Sequence, residues 1–400
     1  MSRLRDLLDR ASCEALVVVA GSSRDPNLAP FIGTARLGES VLIAPRESPP
    51  KLAYLSPLDR DEAAGSGLAL FDPESLDVAR WAREAKSPSE WIGHILSRAL
   101  HLTELAPGQV AVAGCWNAGV LHEACEHLSR EGWRFVAGEP MVAEARKCKT
   151  ADQLLGIRQA AAGTMAAFRR VAEQLAAAEV RAGELWLDGE SLRVGRLRRT
   201  IAKVLAEHGL EQPAGNIVAP AEEGAVPHNS GRDERVLAPG ESLVVDIFPK
   251  GRLFADCTRT FCVGEAPETL LRAHTFVVEA LDLARQRARP GIRGWALQEA
   301  VCDYLGEAGF PTPISDRGTT RGYVHGLGHG VGFECHEYPS FREEAGDEGL
   351  LEAGDVITLE PGLYDEDVGY GVRLEDTFHL SDDGPRSLTP LPFDLDPRAW

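Results

Sequence analysis

The chain has 400 residues, 44% hydrophobic and 26% charged, with 61 acidic against 42 basic side chains and a formal net charge of −19. That length gives two domains, three at most, with ample chain to bury cores. So acidic a chain is a poor nucleic-acid binder, because phosphate affinity comes from clustered Lys and Arg, and it does not suit an anionic membrane surface.

The first residues, Met-Ser-Arg-Leu-Arg-Asp-Leu-Leu-Asp-Arg, read as an amphipathic helix without the apolar core of a signal peptide. No run approaches the roughly 20 apolar residues that span a bilayer. The eight cysteines show no C-x-x-C pair and no zinc spacing. Reduced, buried thiols in a cytoplasmic protein are expected. Residues 1–145 then read as an α/β domain, with strands at Ala15–Ala20, Ser40–Ala44, Leu52–Leu55, Val110–Ala113 and Arg134–Val136 and helices at Pro88–Leu100 and Ala118–Arg130. Within the second helix, His122-Glu-Ala-Cys-Glu-His127 imitates a zinc-protease helix. Its histidines are five apart, roughly 140° round the helix, whereas ligands at i and i+4 share a face. It reads as ordinary surface helix.

A second unit, 150–395, opens on a capping box, Thr150-Ala-Asp-Gln153, followed by Leu154, Ile157, Ala161, Met165, Phe168, Val171 and Leu175 at helical spacing. A helix at Glu190–His208 and strands at Asn216–Ala219, Ser242–Phe248 and Leu253–Val263 follow. The order recurs: a helix from Pro267 to Ala288, another at Gly294–Ala308, then strands at Tyr323–Phe333, Val356–Leu359 and Tyr370–Leu380. Two rounds of helix, helix, strands indicate an internal duplication. The run Leu237–Asp246 aligns with Leu351–Glu360, each with a turn glycine, an apolar strand and a carboxylate six residues after the glycine. Further on, Asp256-Cys-Thr258 matches Glu375-Asp-Thr377. The tail after Ser381 reads as surface wrapping.

Four carboxylates stand where strands disfavour them: Asp246, Asp256, Glu360 and Glu375. Burying one without a partner costs many kcal/mol, and burying four needs positive charge nearby. Pairing with Arg259 and Arg373, or capping of turns, accounts for any one of them taken singly. Their matched places in both repeats favour a shared site. Between them lies Tyr323-Val-His-Gly-Leu-Gly-His-Gly-Val-Gly-Phe333, where glycine at every even position from Gly326 to Gly332 disfavours a helix. As a strand it would put His325, Leu327, His329, Val331 and Phe333 on one side and let another backbone approach the other. Two divalent ions would balance four carboxylates, and oxygen ligands with one imidazole suit Mn²⁺, Co²⁺, Fe²⁺ or Zn²⁺. Such a pair can bridge a water, make hydroxide at neutral pH and polarise a carbonyl, which is chemistry for hydrolysing amides or esters.

Asp246, Asp256 in Asp-Cys-Thr-Arg-Thr, His329 in His-Gly-Leu-Gly-His-Gly-Val-Gly, Glu360 in Leu-Glu-Pro-Gly-Leu-Tyr and Glu375 in Val-Arg-Leu-Glu-Asp resemble the five-ligand signature of the pita-bread metallopeptidases. The resemblance covers about residues 150–380. Asp25-Pro-Asn27 before Phe31-Ile-Gly33 resembles the creatinase-type N-terminal domain of the proline-specific branch. The implied fold is thus an α/β N-terminal domain, 1–145, and an α+β pita-bread domain with pseudo-two-fold duplication, 150–395. The implied activity is cleavage before proline by a dinuclear centre, manganese first among the candidate metals, with a metal-bridged hydroxide as nucleophile. Asp246 would chelate one ion and His329 the other, Asp256 and Glu375 would bridge them, and Glu360 would ligate and accept the water's proton. His228 would shuttle protons or hold substrate, and His336 would steady the oxyanion. His325, Arg373 and Tyr364 would face the substrate.

The same resemblance implies a peptide substrate and a homodimer. Xaa-Pro dipeptidase and Xaa-Pro aminopeptidase are both compatible, with the Gly-His-Gly-Val-Gly…His-Glu-Tyr-Pro pattern leaning to the dipeptidase. A ligand-depleted binding scaffold and a metal-free, creatinase-like amidinohydrolase are the other classes, and the complete carboxylate set argues against both. Two departures are visible. Asp-Ile-Phe-Pro-Lys-Gly251 replaces the family's Asp-x-Gly at the first ligand, and Asp256 follows Asp246 by ten positions, one fewer than the family pattern, so the hairpin between them should turn differently.

Overall fold

The computed structural model describes residues 2–400 and divides into two compact units, Met1–Arg146 and Lys147–Trp400. The first is built on a six-stranded mixed sheet in the order Ala69–Phe71, Lys51–Tyr54, Ser40–Pro45, Ala15–Ala20, Gln109–Ala113, Arg134–Ala137. Its central strand, Ala-Leu-Val-Val-Val-Ala, is buried throughout. Strand alternation sends Leu16 and Val18 into one core and Val17 and Val19 into another, so the sheet is covered on both faces. Asp25 is structural. Its Oδ1 accepts from the Asn27 N–H at 2.8 Å and its Oδ2 from the Cys115 N–H. His122 lies exposed on the helix Ala118–Ser129, as its spacing required.

In the second unit the capping box forms as read: Thr150 and Gln153 satisfy each other's backbone N–H groups at the start of the helix Ala151–Ala176. The duplication is visible as two cycles. Helices Ala151–Ala176 and Val194–Glu207 precede the antiparallel sheet Ile217–Pro220, Leu243–Ile247, Cys257–Phe261. Helices Glu268–Arg287 and Gly294–Glu307 precede a five-stranded sheet whose centre is Val356–Leu359 beside Asp376–Ser381.

Several elements differ from the sequence reading. Residues Glu190–Ser191 belong to a small three-stranded sheet with Glu179–Arg181 and Glu184–Leu187, because Gly183 and Gly189 at positive φ turn the chain there, and the helix begins only at Val194. The expected strand 253–263 begins only at Cys257, and 370–380 breaks at Leu374-Glu375. The glycine-rich stretch 323–333 is strand over His329–Gly330 alone, with a register shift at that point. Close backbone approach is nevertheless why the glycines are there. A Cβ at Gly328 would lie 2.1 Å from the Thr358 carbonyl oxygen, and one at Gly330 would lie 2.0 Å from that of Tyr338. The cysteines are all free, but only Cys13, Cys257, Cys262 and Cys302 are buried.

The C-terminal tail is part of the core. Arg259, wholly buried, donates to the carbonyls of Pro392 (2.8 Å), Leu391 (3.1 Å) and Glu375 (2.6 Å) and pairs with Asp376 at 2.7 Å. Trp400 lies 4.8 Å from the Phe261 ring. Removing one partner of a buried ion pair leaves the other uncompensated, so Arg259→Met should destabilise the second unit by about 3–5 kcal/mol in denaturant unfolding. Arg259→Lys should rescue little of this, lacking the planar fork. Wild-type midpoints for both variants would count against the clasp.

Candidate metal centre

The four strand-interrupting carboxylates converge in the second unit. Leu243–Ile247 pairs with Cys257–Phe261 in a register that sets Asp246 opposite Thr258, and the intervening loop returns Asp256 just ahead of the second strand. Glu360 follows Val356–Leu359 directly, its N–H fixed to the Leu327 carbonyl at 2.7 Å. Glu375 fills the break between two strands and exchanges backbone hydrogen bonds with Thr258.

Each half holds a carboxylate-bearing residue of the other, one by its side chain and one by its backbone. Thr258 Oγ1 donates to Glu375 Oε2 at 2.8 Å, while Thr377 Oγ1 accepts from the Asp256 N–H at 3.0 Å. The matched threonines of the duplication thus cross over, each serving the other repeat.

His329 enters from the glycine stretch. Its Nδ1 lies 3.1 Å from the Gly330 carbonyl, which can only accept, so Nδ1 carries a proton and Nε2 faces the carboxylates. Nε2 is 3.4 Å from Glu360 Oε1 and 3.9 Å from Asp256 Oδ2. One ligand atom each from Asp256, His329 and Glu375 falls within 4.8 Å of the others. Asp246 Oδ1, Asp256 Oδ1 and Glu375 Oε1 are buried without any hydrogen-bond partner. Buried carboxylate oxygens are ordinarily satisfied. Three orphaned carboxylate oxygens, two of them on residues grouped with an imidazole, therefore fit a divalent-cation site.

The titration behaviour follows from the crowding. Burial, then the charge of Asp256, pushes Glu375 well above the usual carboxylate range. Burial, then Asp246, does the same to Asp256, and burial raises Asp246 against the pull of Arg373. Burial also opposes ionisation of Glu360 and His329, but their mutual hydrogen bond and charge prevail, bringing Glu360 to about 2 and His329 to about 9.

Beside the carboxylates runs a directed chain of donors. Arg373 Nη1 donates to the Tyr364 hydroxyl at 2.9 Å, the hydroxyl lies 2.8 Å from His325 Nε2, and His325 Nδ1 lies 2.7 Å from the Gly326 carbonyl. The carbonyl forces the proton onto Nδ1, so Nε2 accepts from Tyr364. Arg373 also pairs with Asp246 at 2.7 Å and reaches the Pro227 carbonyl at 3.2 Å. The pairing of Asp246 with an arginine is thus real. Arg259 instead serves Asp376, outside the four.

Of the remaining candidates, the His336 ring lies 4.2 Å from that of His329, and burial, then His329, lowers its pKa. His228 is exposed, next to the carbonyl that Arg373 holds. Tyr364 is fully buried, and its polar atom is turned to His325 and Arg373. Two participants escaped the sequence reading. Thr258 was legible through alternation, two residues after Asp256 on the same face. Cys335, whose Sγ lies 3.2 Å from Asp256 Oδ2, carries no signal in the spacing of the cysteines.

The model of metallopeptidase family M24 matches residues 156–382, more than half of the chain. The chain belongs to the M24 metallopeptidase family. It is 33% identical to the Xaa-Pro dipeptidase of Pyrococcus furiosus over 209 residues, covering 50% of this chain and 56% of that protein. It is 30% identical to Xaa-Pro aminopeptidase 2 of Streptomyces coelicolor over 285 residues, covering 66% and 58%. The matches thus span little more than half of these curated relatives. The prolidase structure from Pyrococcus horikoshii OT3 superposes with a TM-score of 0.74 over 98% of this M24 chain and 99% of that one, at 22% identity, and so shares its fold. That fold is the pita-bread architecture.

A stripped site should make stability depend on pH. Asp246, Asp256 and Glu375 have raised folded-state pKa values, so their contribution is present below the ordinary 3.8 and 4.5 and is lost as pH rises through the raised values. His329, raised, contributes below 6.5 and loses that contribution as pH rises through about 9. Glu360, depressed, contributes above 4.5 and loses it as pH falls through about 2. The melting temperature of chelated protein should therefore fall as pH rises from about 5 toward 9, and added Mn²⁺ should flatten the slope. A flat profile in the stripped protein would contradict the crowding.

Proposed function

We propose that this chain hydrolyses the peptide bond preceding proline, as an Xaa-Pro dipeptidase, with two divalent ions, manganese first among them, held by Asp246, Asp256, His329, Glu360 and Glu375. The observation carrying this is the set of three buried, unpartnered carboxylate oxygens, of Asp246, Asp256 and Glu375, the last two residues grouped with His329. When bound, such ions supply an acidified water and polarise a carbonyl.

The chain's own groups divide the remaining work. Glu360, alone among the four site carboxylates in being held below its usual range, is ionised and available to take a proton from the attacking water. His336, exposed and held neutral beside His329, offers an N–H to the oxygen that gains charge. His228 lies close enough to lower the pKa of both His325 and His336, which supports a part for it beside them in holding substrate. Arg373 and His325 have their polar atoms turned inward. Their part is to hold Asp246 and to present the His325 ring, packed between Tyr323 and Tyr364 at 5.4 Å each, toward substrate. Specificity for proline draws on the names of the aligned relatives. A second reading, Xaa-Pro aminopeptidase, is favoured by the longer alignment with the Streptomyces protein.

Purified protein reconstituted with Mn²⁺ should release alanine from Ala-Pro. Cleavage of Ala-Pro-Ala as well would move the assignment to an aminopeptidase, and two bound ions with neither peptide cut would overturn the proline specificity. His329→Ala should lose metal and activity together. Glu360→Gln, assayed under saturating metal, should lose about a hundredfold or more in kcat; wild-type turnover there removes the proton-accepting role.

A further inference from the structure

A buried ion pair holds the turn that carries His336. Lys149 and Glu337, their side chains 0% and 1% exposed, meet at 2.6 Å between Nζ and Oε1. The other carboxylate oxygen, Glu337 Oε2, accepts from the Glu334 N–H at 3.1 Å and so closes the turn. Gly332 makes room for the pair, since a Cβ there would lie 2.6 Å from Glu337 Oε1 and 2.7 Å from Lys149 Cε. The lysine is itself anchored. Its Nζ donates to the Lys147 carbonyl at 2.8 Å. Its N–H donates at 2.8 Å to the carbonyl of Gly354, two residues ahead of the strand Val356–Leu359 that delivers Glu360. Glu337 stands opposite Gly330, the neighbour of His329, and its own neighbour His336 has its ring 4.2 Å from that of His329. Two charges withdrawn from water gain little net stability over an apolar pair of the same volume. What this pair secures is geometry.

We propose that Lys149 and Glu337 are positioning residues that act through His336, fixing its imidazole in a frame shared with the Glu360 strand. This rests on the hydrolase reading, in which His336 meets the oxygen that gains charge. An N–H aimed in advance stabilises that charge without reorganisation at the moment of reaction. Misplacing such a group by about 1 Å costs on the order of a hundredfold in rate. A loosened turn should therefore lower kcat and leave KM and metal content in place.

Lys149→Met alone would strand a buried carboxylate, so the test replaces both partners, Lys149→Met with Glu337→Leu, in the full chain loaded with Mn²⁺. Turnover of Ala-Pro, metal content and hydrogen exchange across residues 332–337 are read on the same samples. The apolar pair should keep the metal, lose about tenfold or more in kcat at unchanged KM, and exchange faster across the turn. Glu337→Gln, which preserves volume, should show the same split at smaller size and decides the matter if the apolar pair does not fold. In a His336→Ala background the apolar pair should cost nothing further, because both changes remove the same interaction. A full additional loss there, or wild-type kcat in both pair variants, overturns the positioning role and leaves the hydrolase reading standing. No cleavage by the native, metal-loaded chain overturns the hydrolase reading instead. Unchanged exchange across 332–337 in the apolar pair overturns the hold on the turn whatever the activity.

Discussion

Four carboxylates share a dry space into which the chain brings two cationic side chains, His329 and Arg373. Charges removed from water repel strongly, and the cost falls only through proton uptake or added positive charge. Most of the second unit can be read as the means of enduring this. Its strands end or break where the carboxylates stand, and the crossed threonines fix the Glu375 carboxylate and the Asp256 backbone. A hydrophobic core without these devices would be the more stable product of the same length. The arrangement is retained for what the charge can hold.

The duplication supplies the means. A carboxylate at the end of Leu243–Ile247 and another after Val356–Leu359 occupy equivalent places, and the Thr258–Glu375 backbone exchange joins the sheets at that level. Arg259 extends the joint outward, tying the Glu375 carbonyl, Asp376 and the last residues of the chain to one guanidinium. The tail that looked like wrapping by composition is therefore fastened to the residue next to a site carboxylate. No pattern of hydrophobicity announces a buried arginine's partners, since these are backbone carbonyls far away in sequence.

Much else was legible. The capping box at Thr150, the fully apolar strand at Ala15 and the anomalous placement of Asp246, Asp256, Glu360 and Glu375 are local signals, each tied to one physical cause. What could not be read was context. The glycines from Gly326 to Gly332 signal close approach correctly, yet the approaching carbonyls of Thr358 and Tyr338 bend the stretch out of a regular strand. Alternation is a property of an undistorted ladder, and this one shifts register at His329. The inward turn of Arg373 was hidden similarly, because one arginine serves a carboxylate, a tyrosine and a carbonyl equally well until their positions are known.

The strand that flanks the carboxylate strand differs between the halves. On one side it is Ile217–Pro220, Ile-Val-Ala-Pro, which offers no donor atom; on the other it is His329–Gly330, which offers an imidazole. The scaffold repeats, but its chemistry does not. Two cations seated here would meet unequal surroundings, one neutralised by carboxylates alone and the other sharing its charge with a nitrogen. Occupancy would then proceed in order, the tighter position filling first. A half-loaded protein would be a distinct species with its own behaviour, not an average of the empty and the full.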